Sequence, residues 1–292
     1  MNLSFQENVD LKDYCTFGIG GPAHLFLSVS TIEEMQKAIG FCEGKCINYM
    51  VLGKGSNCLF DDQGFDGAIL LNKIDFFKQP SPGIFHVGAG YSFALLGVQT
   101  ARQGWSGLEF ASGIPASVGG AVFMNAGANG GETSQFLQSV DFITEEGSLE
   151  TYPAEALSFR YRYSPFQEKR GAIVGATFAL KPGADARKRQ IEIINARKKT
   201  QPLNAKSAGC VFLNPECGHA GALIEQCRLK GHEIGGAKVS EKHANFLINR
   251  GEASSADMLN LIAFVRKQVE DSTGIVLQSE LRYIPYHLRK DD

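Results

Sequence analysis

The sequence predicts an α+β fold built in two parts. Helix and strand candidates are mixed irregularly up to about residue 180, without the repeating βαβ pattern of a doubly wound parallel sheet. A charged helical stretch, "ADARKRQIEIINARKK" at 184–199, precedes a region with helices and a strand of its own. With 292 residues the chain is long enough for two domains. We therefore predict a boundary near 185–200 and domains at 1–185 and 186–292.

The first part begins with a helix predicted at 30–42, where Ser30 and Glu33 match a capping box. Its apolar residues at helical spacing are Ile32, Met35, Ile39 and Cys42. A strand follows at 47–53, and a second helix is expected at 92–103. Further strands are predicted at 67–71, 84–88, 139–144 and 172–180, with "EEG" at 145–147 as a hairpin turn.

The second part opens with a helix predicted at 219–230 and ended by Gly231. A longer amphipathic helix at 255–273 is capped by Ser254 and stopped by Gly274. The residues on its apolar face are Met258, Leu261, Ile262, Val265 and Val269. The last strand, "IVLQSELRYI", alternates, so that Gln278, Glu280 and Arg282 are expected on one side.

Composition narrows the class of protein. The formal net charge is −2, and the basic residues are scattered, which argues against a nucleic-acid partner. No apolar run approaches the length of a membrane span, and "MNLSFQENVDLKDY" has no signal-peptide pattern. Seven cysteines without a C-x-x-C motif favour a reducing, cytoplasmic location. The spacing of the four neighbouring metal-capable residues fits no zinc site, so no metal is expected; these residues are Cys217, His219, Cys227 and His232.

Two glycine-rich stretches are candidates for ligand loops. In "VLGKGSN" (51–57) an apolar strand enters a turn of small residues, whose backbone N–H groups can bind a phosphate. The order of its residues is not that of a Walker A loop, and a plain hairpin stays open as an alternative. In "EFASGIPASVGGAVFMNAGANGGE" (109–132) many glycines occur with almost no charge, which suits a backbone lying against a flat ligand. The alternative is a close-packed crossing of two backbone segments. Together the two loops fit a dinucleotide with a planar ring better than a mononucleotide.

These stretches and several others resemble the UDP-N-acetylenolpyruvoylglucosamine reductase (MurB) family of flavoenzymes. The matching motifs run nearly end to end: "TFGIGGPA", "VLGKGSN", "GLEFASGIPASVGGAVFMNAGANGGE", "FRYRYS", "SAGCVFLNP", "GGAKVSEKHANFLIN" and "LQSELRYI". The resemblance implies an FAD-binding module of the vanillyl-alcohol-oxidase (PCMH) type over 1–185, with α+β lobes at about 1–72 and 73–185. It implies a C-terminal α/β substrate-binding domain over 186–292, in the manner of the shorter, type II branch.

The resemblance also implies site residues. The FAD pyrophosphate would be held by Gly53, Lys54, Gly55, Ser56 and Asn57. The flavin side would be lined by Gly113, Ile114, Pro115, Ser117, Val118, Gly119 and Gly120, with Asn125 and Gly127 nearby. The UDP-sugar substrate is associated with Tyr161, Asn214, Lys242, His243 and Asn245. The three catalytic positions are Arg162, Cys210 and Glu280.

The implied reaction explains why these residue types are needed. NADPH would reduce non-covalently bound FAD, which would reduce an enolpyruvyl ether on the nucleotide sugar to a lactyl ether. Arg162 is a permanent cation that could hold the substrate carboxylate in two bonds. Glu280 could hydrogen-bond that carboxylate or polarise the enol ether. From the residues alone, Arg162 could equally be a surface arginine in a hairpin, and Glu280 could belong to an exposed ion pair.

Cys210 stands where the family usually has serine. A thiol has an ordinary pKa of about 8.5, so it is mostly protonated at neutral pH and is a far better acid than a hydroxyl. A proton donor is therefore a sensible interpretation, and an inert buried thiol is the alternative. Three other departures from the family pattern are Leu213 for a common lysine, Gln278 for a frequent glutamate and Ala116 for a usual glycine.

Two other functions share the flavin-module pattern. One is a sugar or alcohol oxidase that passes electrons to oxygen, and the other is a nucleotide-sugar sensor without turnover. The C-terminal motifs and the three catalytic positions favour the reductase over both. A cytoplasmic monomer acting on a nucleotide sugar in peptidoglycan precursor synthesis is the resulting expectation.

Overall fold

The computed structural model describes residues 3–287, which form two compact units. Of the described residues, the first unit contains 3–6, Leu25–Lys54 and Gly67–Ala196. The second contains Glu7–His24, Gly55–Asp66 and residues 197–287. These units are not continuous stretches of chain, and the sequence-based domains at 1–185 and 186–292 stay a prediction.

Helices and strands are mixed in both units, as expected for an α+β fold. The α-helices of the described residues are α1 (Ile32–Gly44), α2 (Phe93–Arg102), α3 (Val118–Phe123), α4 (Ala186–Thr200), α5 (Ala220–Gln226) and α6 (Ser255–Thr273). Short 3₁₀ turns occur at Leu11–Tyr14, Glu109–Gly113, Thr133–Phe136, Ala154–Ala156 and Pro165–Glu168. Within residues 3–287, none of the helices has the length and apolar character needed to cross a membrane.

The strands are mostly short. In chain order they are β1 (Gln6–Asp10), β2 (Pro22–Val29), β3 (Tyr49–Leu52), β4 (Cys58–Phe60), β5 (Phe65–Asn72), β6 (Phe77–Ser81), β7 (Ile84–Gly88), β8 (Trp105–Ser106), β9 (Gly127–Ala128), β10 (Gly131–Glu132), β11 (Leu137–Thr144), β12 (Leu149–Pro153), β13 (Gly171–Ala179), β14 (Lys181–Pro182), β15 (Glu233–Ile234), β16 (Ala237–Val239), β17 (Leu247–Asn249) and β18 (Arg282–Ile284).

The core of the first unit is built on a five-stranded antiparallel sheet in the order β12–β11–β13–β7–β6. Side chains of β13 face both sides of the sheet, and an irregularity in its pairing with β11 between Ile173 and Gly175 shifts the alternation along the strand. Ile173 and Phe178 pack with Phe93 and Leu96 of α2 in one apolar cluster. Ala172 and Val174 belong to another cluster, which contains buried residues of α1 and β5 and is packed against partly buried residues of β3, the parallel neighbour of β5. The buried residues from α1 and β5 are Met35, Ala38, Ile39, Cys42, Ala68 and Leu70.

The second unit contains the antiparallel sheet β15–β16–β17 and the parallel pair β4 and β18. Helix α6 begins at a capping box of Ser254 and Asp257 and ends where Gly274 takes a left-handed φ of 74°. The predicted helix, cap and stop are therefore confirmed. All five residues of its predicted apolar face are buried, namely Met258, Leu261, Ile262, Val265 and Val269.

Three element predictions need correction. The N-terminal capping box of α1 is formed by Thr31 and Glu34, one residue later than Ser30 and Glu33: Thr31 has the extended φ and ψ of a cap, and its hydroxyl accepts from Glu34 N at 3.1 Å. Helix α5 ends at Gln226 instead of reaching residue 230, since Arg228 takes a left-handed φ of 57°.

The predicted last strand over 275–284 is also wrong in extent. Only Arg282–Ile284 is a regular strand, and Ser279 makes an isolated bridge to Phe212. The backbone N–H groups of Glu280 and Leu281 both point to the carbonyl of Val211, at 2.8 and 3.4 Å. Two successive donors on one acceptor interrupt the ladder, so the strict alternation predicted for Gln278, Glu280 and Arg282 does not hold.

Candidate active site

The two glycine-rich stretches meet in the first unit. A Cβ atom added to Gly53 would lie 2.2 Å from Ser117 Oγ, so any side chain there would collide with the second loop. Ser117 is the N-cap of α3, and its hydroxyl accepts a bond from Gly120 N at 3.3 Å. Gly53 of the first stretch and Ser117 of the second therefore lie against each other within the first unit, and glycine is required at position 53 by this close approach.

Lys54 adds a positive charge beside this contact. Its Nζ donates a hydrogen bond to Ser92 Oγ at 2.8 Å. Burial and the neighbouring Lys73 lower the pKa of the Lys54 ammonium, and Asp75 opposes them. Lys54 and Lys73 are both exposed, and two neighbouring ammonium groups create a positive potential that would stabilise an anion.

The second loop keeps an open side. Gly113 and Ile114 are partly exposed and Pro115 is exposed, although the residues that precede them are buried. The buried Ser112 Oγ has no hydrogen-bond partner among residues 3–287. An unsatisfied buried hydroxyl is unfavourable by about 1–3 kcal/mol, so a ligand that bonds to it would gain affinity.

Asn125 and Gly127 support Arg162. The guanidinium Nη2 of Arg162 donates to the carbonyl of Gly127 at 2.7 Å. Asn125 is fully buried, and its amide donates to the carbonyl of Arg160 at 2.9 Å and to Glu132 Oε2 at 3.2 Å. Its Oδ1 accepts a bond from Ser134 N at 3.0 Å. The contact of Asn125 with a cofactor stays a prediction.

The turn that carries Arg162 has an unusual backbone. Arg162 has a left-handed φ of 56°, a conformation unfavourable by roughly 1–2 kcal/mol for a residue with a side chain. Reciprocal backbone hydrogen bonds between Arg160 and Tyr163, at 3.1 and 3.0 Å, close the turn. The guanidinium carbon lies 4.7 Å from the centre of the Tyr161 ring, which is 45% exposed. Strain of this kind in a defined turn is often found at functional sites.

Cys210 lies on an extended segment of the second unit. The segment is bound on one side to Asn245, whose carbonyl accepts from Val211 N at 2.9 Å. The Asn245 side chain bonds to both backbone groups of Phe212, accepting at 2.9 Å and donating at 2.8 Å. Cys210 itself makes an isolated bridge with Phe246 and is only partly buried.

Cys210 is thus unlike the core cysteines of the chain. Cys15, Cys42 and Cys58 are buried, and burial raises the pKa of the Cys42 and Cys58 thiols to about 11. A thiol in such a place is inert because its anion is not solvated. The partial exposure of Cys210 removes one ground for the alternative of an inert core thiol.

Glu280 lies on the other side of the same segment. Its backbone N–H donates to the carbonyl of Val211 at 2.8 Å, and Gln278 accepts from Leu213 N at 2.9 Å. The carbonyl of Glu280 accepts from Asn57 Nδ2 at 3.0 Å. The second unit therefore brings together Cys210, Glu280 and the last residue of the first glycine turn, and Arg162 lies in the first unit.

The other predicted substrate residues are placed in the second unit too, apart from Tyr161. Asn214 is exposed, and its Oδ1 accepts from Ala220 N at 3.1 Å, at the start of α5. Lys242 is exposed, and its Nζ donates to the carbonyl of Lys198 at 2.6 Å. Their contacts with a substrate stay a prediction.

His243 gives the site a pH dependence. Its Nδ1 accepts a bond from Asn245 N at 3.3 Å, which requires that nitrogen to be unprotonated. Burial, followed by the charge of Lys230, lowers the pKa of His243 below the ordinary 6.5.

We expect this shift to affect folding stability. The unfolded chain binds a proton more readily than the folded one, so the contribution is present above pH 6.5 and is lost as the pH falls through the lower folded pKa. Urea unfolding over this pH range should therefore show a loss of stability that is smaller in His243→Gln, which does not titrate. An identical pH dependence in the two proteins would contradict the assignment.

Sequence reasoning missed Arg197, which lies in the charged helix treated as a connector. Its Nε is buried and has no hydrogen-bond partner within residues 3–287. Burial lowers the pKa of the Arg197 guanidinium, and the nearby Cys210 thiol opposes this as its anion. In the sequence, the basic run "NARKKT" does not distinguish Arg197 from its neighbours. In the structure Arg197 is half-buried, and both Lys198 and Lys199 are exposed.

Comparisons with known proteins identify the family of this chain. The model of the UDP-N-acetylenolpyruvoylglucosamine reductase C-terminal domain matches residues 201–284, and an FAD binding domain model matches residues 23–152. A UDP-N-acetylenolpyruvoylglucosamine reductase from Protochlamydia amoebophila (strain UWE25) is 59% identical over 286 residues, covering 98% of this chain and 96% of the relative. The chain belongs to the UDP-N-acetylenolpyruvoylglucosamine reductase family.

Further relatives support membership of this MurB family. The reductase of Chlamydia trachomatis serovar A (strain ATCC VR-571B / DSM 19440 / HAR-13) is 47% identical over 286 residues, 98% of each chain. The crystal structure of MurB from Thermus caldophilus matches with a TM-score of 0.83 and 37% identity, covering 97% of this chain and 100% of that chain. The expected fold class is confirmed, as is the enzyme class, an FAD-dependent oxidoreductase of the UDP-N-acetylmuramate dehydrogenase type in peptidoglycan precursor synthesis.

The residues of the first unit fit the FAD that this MurB fold implies. On the second loop Gly113 and Ile114 are partly exposed and Pro115 is exposed, and the buried Ser112 hydroxyl lacks a partner among the described residues. Lys54 supplies positive charge for a pyrophosphate beside the small residues Gly53 and Ser117. The individual contacts of the predicted cofactor residues stay a prediction.

The predicted cofactor surface can be tested by one substitution. Gly55 is unsuitable, because its φ is 58° and an added Cβ would lie 2.2 Å from the carbonyl oxygen of Tyr14. At Gly120 the added Cβ would meet only Ser117 Oγ, at 3.3 Å. We expect Gly120→Val to fold and to be purified with much less FAD, measured by visible absorption per polypeptide.

Gly40→Val is the matched control, since Gly40 is an exposed helical glycine and an added Cβ would have nothing within 4 Å. Full flavin occupancy in Gly120→Val would remove Gly120 from the cofactor surface.

Proposed function

We propose that this chain uses NADPH to reduce UDP-N-acetylglucosamine enolpyruvate to UDP-N-acetylmuramate, with Arg162, Cys210 and Glu280 as catalytic residues. The observation that carries the proposal is the Val211 carbonyl, which accepts from Glu280 N at 2.8 Å and thereby ties the segments of two catalytic candidates together. A thiol and a carboxyl group on adjacent segments are the chemistry that the reaction needs.

The proposed role of Arg162 is to stabilise the negative charge that develops on the substrate during the reaction. Gly53, Lys54 and the second glycine-rich loop would hold FAD, which when bound would supply a hydride, originating from NADPH, to the β-carbon of the enolpyruvyl double bond. Negative charge then develops on the α-carbon and its carboxylate, and Arg162 binds that carboxylate and stabilises the charge. Its permanent charge needs no proton transfer to do so. The bond to the carbonyl of Gly127, at 2.7 Å, supports a defined direction for the guanidinium.

Cys210 completes the reduction by protonating the α-carbon. The S–H bond breaks, the new C–H bond forms, and the thiol is left as a thiolate that solvent later reprotonates. Arg197 supports this step, because its partly buried guanidinium is close enough to interact with the charge of that sulfur. A cation beside the donor stabilises the thiolate at the moment it forms.

Glu280 acts at the same end of the substrate. Its carboxyl group hydrogen-bonds the substrate carboxylate or polarises the enol ether. The irregular backbone at Glu280 and Leu281, where two N–H groups share one carbonyl, supports a fixed position for this residue. Asn57 holds the carbonyl of Glu280 from the glycine turn, at 3.0 Å.

The nucleotide part of the substrate is assigned to the exposed and half-exposed groups of the family motifs. Lys242 contributes positive charge toward the diphosphate, with Tyr161, Asn214 and His243 as further contacts. For Asn245, the two bonds to the Phe212 backbone, at 2.9 and 2.8 Å, support a role in holding the Cys210 segment. NADPH is assigned as the reductant and FAD as non-covalently held.

Rapid mixing tests the proposal in two half-reactions. Under anaerobic conditions NADPH should bleach the flavin of the holoenzyme, and addition of the enolpyruvyl nucleotide sugar should restore its absorbance with release of the lactyl product. Denaturation should release the flavin into solution, because FAD is proposed to be held non-covalently. Reoxidation by oxygen but not by the nucleotide sugar would instead favour an oxidase.

The proposal includes a monomeric enzyme in the cytoplasm. The structure records no disulfide among residues 3–287, and NADPH is the reductant of that compartment. Sedimentation of the holoenzyme should give the mass of one chain.

A further inference from the structure

The turn that carries Arg162 is held by a side chain to which no role has been assigned. We propose that Gln167 is a positioning residue for Arg162, fixing the left-handed turn from which the guanidinium projects. The inference rests on the proposed role of Arg162 in the reaction. It concerns contacts within the first unit only.

The side-chain amide of Gln167 joins the end of α3 to the turn that carries Arg162. Gln167 Nε2 donates to the carbonyl of Arg162 at 3.1 Å and to the carbonyl of Phe123, the last residue of α3, at 2.9 Å. Ser164 Oγ also donates to the carbonyl of Phe123, at 2.6 Å. The end of the helix that opens at the flavin loop is thereby tied to the backbone of Arg162 itself.

The turn needs this support because its conformation is intrinsically unfavourable. Arg162 has a φ of 56°, which a residue with a side chain adopts only when its surroundings impose it. Asn125 holds the carbonyl of Arg160 at 2.9 Å, and Gln167 holds that of Arg162 at 3.1 Å. These two amides anchor both ends of the turn to residues at the end of α3.

The position of Arg162 matters because a small displacement of a group that stabilises charge can slow a reaction by up to about 10²-fold. The alternative is that Gln167 stabilises the fold and nothing more. Gln36 offers the comparison, since its Nε2 donates to the carbonyl of Gly147 at 2.8 Å and it too is partly buried. Gln36 is remote in sequence from every candidate site residue of the second glycine-rich loop and of the turn that carries Arg162.

The test compares Gln167→Leu with Gln36→Leu in the holoenzyme. We expect both to keep FAD and to be reduced by NADPH at the normal rate. Reoxidation by the enolpyruvyl substrate should slow at least about tenfold in Gln167→Leu alone. Gln167→Lys should recover most of the rate, because an ammonium group can donate to both carbonyls. Normal reoxidation in Gln167→Leu, or failure of Gln167→Lys to recover, would overturn the inference.

A double-mutant cycle separates this inference from the proposed function. If Gln167 acts through Arg162, Gln167→Leu should cause no further slowing in the Arg162→Ala background. Full additivity, with Arg162→Ala itself slow, would refute the positioning role and leave the role of Arg162 intact. If Arg162→Ala is as fast as the wild type, the proposed function of Arg162 fails instead.

Hydrogen exchange gives a readout without substrate. Peptides that cover residues 160–163 should exchange faster in Gln167→Leu than in the wild type and in Gln36→Leu. Should Gln167→Leu not fold, Gln167→Glu is the second variant, because its carboxylate cannot donate to either carbonyl at neutral pH. Unchanged exchange in this turn in the folded variant would count against the inference.

Discussion

Cys210→Ala should slow reoxidation of the reduced flavin by the enolpyruvyl substrate by about 10²–10⁴-fold, the loss typical of a removed general acid. Reduction of the flavin by NADPH should proceed normally, because that half-reaction takes no proton from this position. Stopped-flow measurement of the two half-reactions separates these effects. Cys210→Ser should keep much of the activity, since a hydroxyl can serve the same step. Alkylation of the thiol should block reoxidation, and bound substrate should protect against it.

Cys42→Ala is the matched control for this prediction. Cys42 is a fully buried thiol of α1, so its loss should lower the free energy of unfolding by roughly 1 kcal/mol and leave both half-reactions intact. Normal reoxidation in Cys210→Ala would falsify the proton-donor assignment. It would place Cys210 with the inert thiols despite its partial exposure.

Arg162→Ala and Glu280→Gln should each lower turnover by about 10²–10³-fold or more, since both groups are proposed to act on the charge that develops in the transition state. NADPH should still reduce the flavin at the normal rate in both variants. The measurement is single-turnover reoxidation by the nucleotide sugar at saturating concentration, which distinguishes slow chemistry from weak binding.

Arg170→Ala is the control for loss of an arginine. Arg170 forms an exposed ion pair with Glu43, at 2.7 Å, and exposed pairs contribute only about 0–1 kcal/mol to stability. Its turnover should therefore match the wild type. Turnover equally unaffected in Arg162→Ala would make Arg162 a surface arginine without a catalytic role. Unaffected turnover in Glu280→Gln would likewise make Glu280 a member of an exposed ion pair without a catalytic role.

Local structure was predicted best where the deciding interactions are local. The cap at Ser254 and the stop at Gly274 lie within one turn of the ends of α6, and both were read correctly from the sequence. The shift of the first capping box from Ser30 to Thr31 shows the limit of this reasoning. Adjacent Ser, Thr and Glu residues allow two registers, and in the structure the Thr31 hydroxyl accepts from Glu34 N, which places the box one residue later than predicted.

Other errors came from contacts between residues distant in sequence. The strand predicted over 275–284 is interrupted because the Val211 carbonyl accepts two successive N–H groups. Nothing in the sequence near Glu280 indicates this partner. The amide of Asn245 is directed at the backbone of Phe212, 33 residues away, and no spacing rule predicts such a bond.

By itself the sequence determined the chemistry and the family: an FAD-dependent oxidoreductase, two glycine-rich loops, and a thiol in a position that usually holds a hydroxyl. These are carried by residue identity and short spacing, which persist however the chain folds. Only the tertiary structure decided that Gly53 lies against Ser117, that Asn57 reaches the carbonyl of Glu280 across 223 residues of chain, and that Gln167 holds the backbone of Arg162. The residue types that make these contacts also occur at solvent-exposed positions, so the sequence does not distinguish the two cases. Only folding brings each group into contact with its partner.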